Sequence, residues 1–397
     1  MSRRGLYALL MFIALLVAAC APAISTPSGG VTPAVSTTKP VATPEPIRPP
    51  TASPIPLGKH AIFVVDPRNG DPVSRILVID ADAQRVVSTL VARYTPEIVF
   101  SPDGRRLYLA DSYASRVIRG DWHDVVSVYD ARSGELLHDE VGIPKRLLYK
   151  GFPNAHPYMF LSRDGSRLFV GKYGDPDIHM LRVAVMDSAT FQSLAEWVQP
   201  NCWTLLPLLD GQLLCAGGMQ PSILDSMTGR VSQIPGALPA QGVVALSSSR
   251  DRLYVVANAA GVETSVTVVD LAATPPRVLD ERVALQALQG FQIGYGQIVV
   301  SPDESRLYIG VITGKHSDSG SPDEIWAYET GTWTRAGILE PSDPAFQVAI
   351  SADGTLLYTV NPFKKSLSIF DAASFREIGV MHDLGETPAQ VVVPPSH

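Results

Sequence analysis

The chain has 397 residues, of which 32 are basic and 39 acidic, for a formal net charge of −7. No basic stripe interrupts that balance, which argues against nucleic acid as a partner. The 46% apolar fraction is ordinary for a folded chain once an apolar leader is set aside.

The first 20 residues stand apart from any fold. Arg3 and Arg4 precede an apolar run from Leu6 to Val17, which ends in small residues and Cys20. This is an export signal, too short for a good membrane span. Leu16-Val17-Ala18-Ala19-Cys20 resembles the bacterial lipobox. That resemblance implies cleavage before Cys20, lipid on Cys20, and a membrane-anchored protein of the bacterial cell envelope facing away from the cytoplasm. An ordinary signal peptide with an incidental cysteine is the alternative, and Ser2-Arg3-Arg4 is faintly similar to a twin-arginine signal. Residues 21–58 are mostly Pro, Thr, Ser and Ala, with no aromatic. Such a segment buries too little apolar area to offset its ordering entropy. It reads as an extended tether, reaching about 100 Å at ~3.1 Å per residue.

Residues 59–397 carry a repeat. SPDGRRLYLAD (101–111), SRDGSRLFVGK (162–172), SSSRDRLYVVAN (247–258), SPDESRLYIGV (301–311) and SADGTLLYTVN (351–361) are five versions of one hairpin. In the first, Pro102 presets φ for the opening corner while Asp103 and Gly104 suit the later turn positions. Leu107 and Leu109 then fall on one strand face, Tyr108 and Ala110 on the other. Each unit continues into a β-rich run ending in Asp: SRILVID (74–80), VVSVYD (125–130), LRVAVMD (181–187), SVTVVD (265–270) and SLSIFD (366–371). A turn and a fourth strand follow. Four antiparallel strands per unit predict an all-β protein built from the blades of a β-propeller. A helical solenoid would need 3.6-residue periodicity, which these runs lack.

The blades count to seven. A sixth is degenerate, WTLLPLLDGQLLCAGG (203–218) followed by SILDSMTGRVSQI. The seventh is split: residues 61–92 supply three strands, and AQVVVPP (389–395) supplies the missing inner one. Pairing of the two ends would close the ring and leave no free edge at the seam.

Cys202 and Cys215 flank the degenerate hairpin. An exported protein meets oxidising conditions, which favours a bridge between them over two free buried thiols. A symmetric hairpin would set Cys215 opposite Leu206, so the bridge demands an irregular strand start near Pro200.

No catalytic pattern emerges. The chain has no nucleophile elbow, no phosphate-cradling glycine loop and no His-Glu-x-x-His. His123 and His156 lie on loops that share a face, but they read as solvated rather than as a metal pair. The acidic loop 316–324 does not fit the helix-loop-helix calcium pattern. The strand-ending Asp80, Asp130, Asp187, Asp270 and Asp371 read as caps of local turn amides. Neither a cofactor nor a metal is expected in this chain.

The hairpins resemble the bacterial propeller family of YVTN-type units. Within it the chain is most similar to the heavy subunit of the quinone-dependent, methylamine-type amine dehydrogenases. Three stretches carry this: Asp66-Pro67 to Ile79-Asp80, SRVIRGDWHDVVSVYDARSGELL (115–137) and PNCWTLLPLLDGQLLCAGG (200–218). The resemblance implies seven blades, cysteines either side of one hairpin, and no cofactor on this subunit. It also implies a small partner subunit bearing a tryptophan-derived quinone, whose electrons pass to a copper protein or cytochrome. Where that family places an aromatic facing the quinone, this chain has Gly70.

Three functional readings follow. The first is a lipid-anchored propeller that binds or scaffolds without chemistry of its own. The second is the heavy subunit of an amine dehydrogenase, and the third is a lactonase-type hydrolase. A protein partner is expected on the face of the longer loops: 66–74, 111–124, 144–157, 173–180, 312–324 and 361–366. That face carries Trp122, His123, Lys145, Arg146, His156, Tyr173, His316, Phe363 and Lys364. The opposite face holds the tight turns.

A lipid on Cys20 contributes ~0.8 kcal/mol per buried CH₂. Cys20→Ser is therefore expected to release the protein from membranes. The check is membrane fractionation after a high-salt wash, where a retained mutant would refute the lipoprotein reading.

Overall fold

The computed structural model describes residues 55, 57–67, 74–92, 96–114, 122–143, 159–175, 178–200, 202, 204–208, 211–216, 221–235, 238–239, 242–259, 263–285, 288, 291–315 and 321–395. Cys20 and nearly all of the expected tether lie outside them.

Seven four-stranded antiparallel sheets form the blades of a propeller. Blade 1 holds β1 (Ala61–Asp66), β2 (Ser74–Asp80) and β3 (Arg85–Ala92). Blade 2 holds β4 (Glu97–Phe100), β5 (Arg106–Ala114), β6 (Trp122–Asp130) and β7 (Leu136–Ile143). Blade 3 holds β8 (Met159–Leu161), β9 (Arg167–Asp175), β10 (Ile178–Asp187) and β11 (Ser193–Pro200). Blade 4, the degenerate one, holds β12 (Thr204–Pro207), β13 (Gln212–Ala216), β14 (Ser222–Asp225) and β15 (Val231–Gln233). Blade 5 runs β16 (Val243–Leu246), β17 (Arg252–Ala259), β18 (Glu263–Asp270) and β19 (Arg277–Ala284). Blade 6 runs β20 (Gln292–Val300), β21 (Arg306–Ile312), β22 (Glu324–Glu329) and β23 (Arg335–Leu339). Blade 7 runs β24 (Gln347–Ile350), β25 (Leu356–Asn361), β26 (Ser366–Asp371) and β27 (Arg376–Met381). Finally β28 (Gln390–Val392) returns to blade 1 beside β1, as the split blade required.

The alternation read in the hairpin strand sends its residues into two different cores. Leu107 and Leu109 pack with Phe63, Val65, Ile76 and Val78 of blade 1. Tyr108 and Ala110 pack with Leu168, Val170 and Ala184 of blade 3. A blade thus has neighbours on both faces, which is why β1 and β25 are buried at every position. The hairpin aromatics Tyr108, Phe169, Tyr254, Tyr308 and Tyr358 are each no more than 1% exposed. Truncating any of them to alanine should cost about 3–5 kcal/mol.

The tight turns repeat atom by atom. Ser101 Oγ donates to Asp103 at 2.6 Å and accepts from Arg106 N at 2.9 Å. Ser301 and Ser351 do the same within their own turns. The caps at the ends of the third strands are as read. Asp130 accepts from Ser133 N at 2.7 Å and from the Ser133 hydroxyl, and these bonds hold its carboxyl below the usual range.

The seam is closed by more than a ladder. Buried Asp66, at the end of β1, accepts from Glu386 N at 2.9 Å and Thr387 N at 2.6 Å, and Arg75 Nη2 donates to it at 3.0 Å. Gly385 approaches so closely, at φ +73°, that a Cβ there would lie 2.1 Å from the Asp66 carboxylate. On the opposite rim His60 bridges Asp82 of blade 1 (2.7 Å) and Asp353 of blade 7 (3.0 Å), while Lys59 pairs with Asp353.

Deleting everything after Pro388, or substituting Gly385→Ala, is expected to lower the melting temperature sharply or cause aggregation. An unchanged midpoint in both would disprove the latch. The His60 rim of the seam should respond to pH. Burial works to lower the His60 pKa, but the Asp353 and Asp82 carboxylates outweigh it and leave the pKa raised. Its stabilisation is therefore full below the unfolded value near 6.5 and is lost as pH rises through the folded value. Melting should fall between about pH 6 and 8, and His60→Gln should flatten that slope in a pH series of thermal scans.

Candidate functional site: the long-loop face

The blade 6 end of this face is built from the start of its third strand. Glu324 opens β22, is 5% exposed, and accepts from Trp326 Nε1 at 2.6 Å. Phe291 meets the Trp326 ring edge-on at 5.3 Å, and the Arg335 guanidinium lies 4.6 Å from the ring centroid. Thr313 and Lys315 complete a groove of about 590 Å³. The Lys315 ammonium pairs with Glu324 and reaches Glu340 at 2.8 Å. Those carboxylates, Glu324 first, hold its pKa above the ordinary lysine value. A buried carboxylate beside aromatic faces suits a cation, and here the protein supplies its own.

Blade 7 contributes Phe363, 69% exposed, whose ring stands edge-on to Phe346 at 5.2 Å. Asn361 fixes this tip by accepting from Phe363 N at 2.9 Å and Lys364 N at 2.8 Å. Residues 361–366 are therefore not a long loop but a turn of four residues between β25 and β26. Asn361 caps it much as the strand-ending aspartates cap theirs. The expected loops 111–124 and 173–180 also shrink, because β5, β6, β9 and β10 run into them. Their strand-like continuation adds ladder hydrogen bonds that a count of polar residues does not reveal.

Of the expected face residues, Phe363 and Lys364 are described and exposed. The backbone places Trp122 and His123 at the start of β6, opposite Ala114 and Tyr113. It places Tyr173 near the end of β9, opposite Leu181. Lys145, Arg146, His156, His316 and Gly70 lie outside the described residues. Cys202 and Cys215 form a disulfide with Cα atoms 5.5 Å apart, buried in the core between blades 3 and 4. Cys215 pairs with Leu205 rather than the expected Leu206, and Cys202 precedes β12.

Trp326, Phe291 and Arg335 were not singled out from the sequence, and Glu324 was read only as the end of the acidic loop 316–324. One signal was available: Trp326 occupies the strand position where sister strands carry Ser127, Ala184, Thr267 and Ser368. Among the described residues no group of three or more His, Cys, Asp or Glu is arranged to hold a metal ion.

A family model, the methylamine dehydrogenase heavy chain (MADH), matches residues 59–216. The chain is similar to methylamine dehydrogenase heavy chains. The heavy chain of Methylorubrum extorquens is 22% identical over 364 residues, covering 85% of this chain and 83% of that one. The resemblance read from the hairpins and the cysteine-flanked blade is thereby shown, and the match takes in Cys202 and Cys215. Solved propellers share the fold at lower identity. The periplasmic gluconolactonase PpgL of Pseudomonas aeruginosa superposes with a TM-score of 0.57 at 15% identity, covering 85% of this chain and 99% of that one. The dihydro-heme d1 dehydrogenase NirN gives 0.52 at 17% identity, over 88% and 78%.

Proposed function

We propose that this chain is a lipid-anchored extracytoplasmic propeller that binds a protein partner on its long-loop face and performs no chemistry alone. The observation that carries the reading is the surface of blades 6 and 7, which bears an exposed aromatic, Phe363, on a fixed turn and a groove lined by the buried Glu324 and Trp326 and the exposed Arg335. Aromatic and arginine side chains on a rigid base are the groups that anchor interfaces, and loops on a rigid ring are where binding residues collect. The similarity to MADH heavy chains supports a partner-holding role, since in that family the cofactor belongs to a separate small subunit. It also supports a second reading, in which this chain is itself the heavy subunit of a quinone-dependent amine dehydrogenase.

The test starts with capture of partners by the exported chain, including any cysteine-rich small subunit encoded beside it, followed by calorimetric titration of the partner found. Trp122→Ala combined with Phe363→Ala should weaken binding at least about tenfold, the loss of one interface anchor. Arg105→Ala and Ser166→Ala on the tight turns should not, and the reverse pattern would sink the face assignment. Amine-dependent dye reduction by the complex would select the heavy-subunit reading. The same activity in the isolated chain would overturn the non-catalytic one.

A further inference from the structure

The chain enters the propeller on the tight-turn face, and the entering segment touches three blades. Ile55 is buried in the core between blades 1 and 2, and its N–H donates to Arg132 O in the blade 2 turn at 3.0 Å. Further along, His60 stands between blades 1 and 7. Its side chain is 10% exposed, with Nδ1 2.7 Å from Asp82 of blade 1 and Nε2 3.0 Å from Asp353 of blade 7. Lys59 joins Asp353 at 2.7 Å. Between the two ends Gly58 and Lys59 are exposed, and a cavity of about 590 Å³ lies against Leu57, Gly58, Ser351 and Pro394. The segment is thus held at its ends and has space beside its middle.

Both ring nitrogens of His60 face carboxylates. Only the imidazolium has two N–H groups, so only it can donate to both. In the neutral ring the bare nitrogen would oppose a carboxylate oxygen, lone pair against lone pair. Nε2 has another partner within reach. Thr355 Oγ1 lies 3.3 Å from it, and its hydroxyl donates to Asp353 at 2.7 Å. Turned toward a bare Nε2, the same hydroxyl can donate there instead. Nδ1 keeps Asp82 at the shorter distance. The neutral ring is therefore best satisfied with its proton on Nδ1 and with Nε2 accepting from Thr355. Asp353 then loses both the imidazolium and the threonine hydroxyl. It keeps Lys59, the Ser351 hydroxyl at 2.7 Å and the Thr355 N–H at 3.1 Å.

The charged groups around His60 are Asp82 on blade 1, Asp353 on blade 7 and Lys59 on its own segment. Asp80 lies against Gly58, and Arg132 of blade 2 lines the same cavity. Tyr358 lines it too, and burial, then the charges of Asp82 and Asp353, push its phenol above the ordinary value, so it stays neutral.

We propose that His60 is a two-state switch at the ring seam: as imidazolium it ties blade 1 to blade 7, and as the neutral Nδ1–H tautomer it releases Asp353 while the Ile55 end stays seated. The Asp66 latch on the other rim keeps the ring closed, so the release is local. The folded pKa of His60 is raised. The tie is therefore complete below the unfolded value near 6.5 and is lost as pH rises through the folded one.

The full chain carrying Cys20→Ser is labelled with ¹⁵N in its histidine rings and followed by NMR. The His60 resonances are those missing from His60→Gln; should that variant not fold, Asp353→Asn identifies them by a midpoint lowered by about one unit. At about pH 5.5 both His60 nitrogens should carry protons, and at about pH 8.5 only Nδ1 should. Thr355→Val removes the hydroxyl that satisfies the neutral ring and should raise the midpoint. Corrected for the intrinsic effect of pH, amide exchange at residues 57–61 should speed about tenfold between those conditions, the loss of one charge-assisted hydrogen bond. The Ile55 N–H should keep its protection. In His60→Gln the corrected rates should be the same at both. An Nε2–H tautomer at the higher pH, a midpoint unmoved by Thr355→Val, or pH-independent exchange in the parent overturns the switch.

Discussion

Every blade of this protein depends on its neighbours for a core, and the ring is stable only because its last strand reaches its first. The seven buried clusters each draw side chains from two adjacent blades, and Ile62, Val64, Leu367 and Ile369 meet across the seam. A blade in isolation would expose apolar residues on both faces, as in other repeat proteins whose stability is shared between units. The seam is where that sharing would fail first. It is reinforced accordingly, by the Asp66 carboxylate inside the turn at Gly385 and by the His60 bridge on the other rim.

The same geometry divides the surface into two faces with different chemistry. The tight turns are locked by serine and aspartate hydrogen bonds, and their charges are mostly spent within their own turns. On the opposite face the chain is free to vary, and there blade 6 replaces a small strand residue with Trp326 and buries Glu324 beneath Lys315. Blade 4 breaks the pattern on the tight-turn face as well. Its first hairpin closes from Leu208 N to Gln212 O, a shorter closure than Ser101 N to Arg106 O in blade 2.

Much of this was legible in the sequence because the repeat encodes local geometry redundantly. Five copies of one hairpin specify strand, turn and facing, so blade count, ring closure and the capping role of Asp130 and its sisters could all be read directly. Where the repeat was followed too literally, the reading slipped. Asn361 makes a capped turn out of what looked like a loop, and β9 and β10 extend nearly to each other because polar residues sit comfortably in a ladder. The Trp326 groove was not read because its members come from distant parts of blade 6 and its edge. Nothing local announces that Phe291 and Arg335 will meet the same indole.

The ladder between β1 and β28 also has a consequence in time. Asp66 and the backbone amides it holds are 320 residues apart in sequence. Loop-closure entropy must be met before contacts of that separation reward the chain. During synthesis, blades 2 to 7 can begin to stack as they emerge, but blade 1 waits with an unpaired inner edge until β28 has been made. An incomplete chain therefore displays an open strand edge at one end of a growing stack. Such an edge invites pairing with other chains, so β28 acts as the cap that ends this aggregation-prone stage.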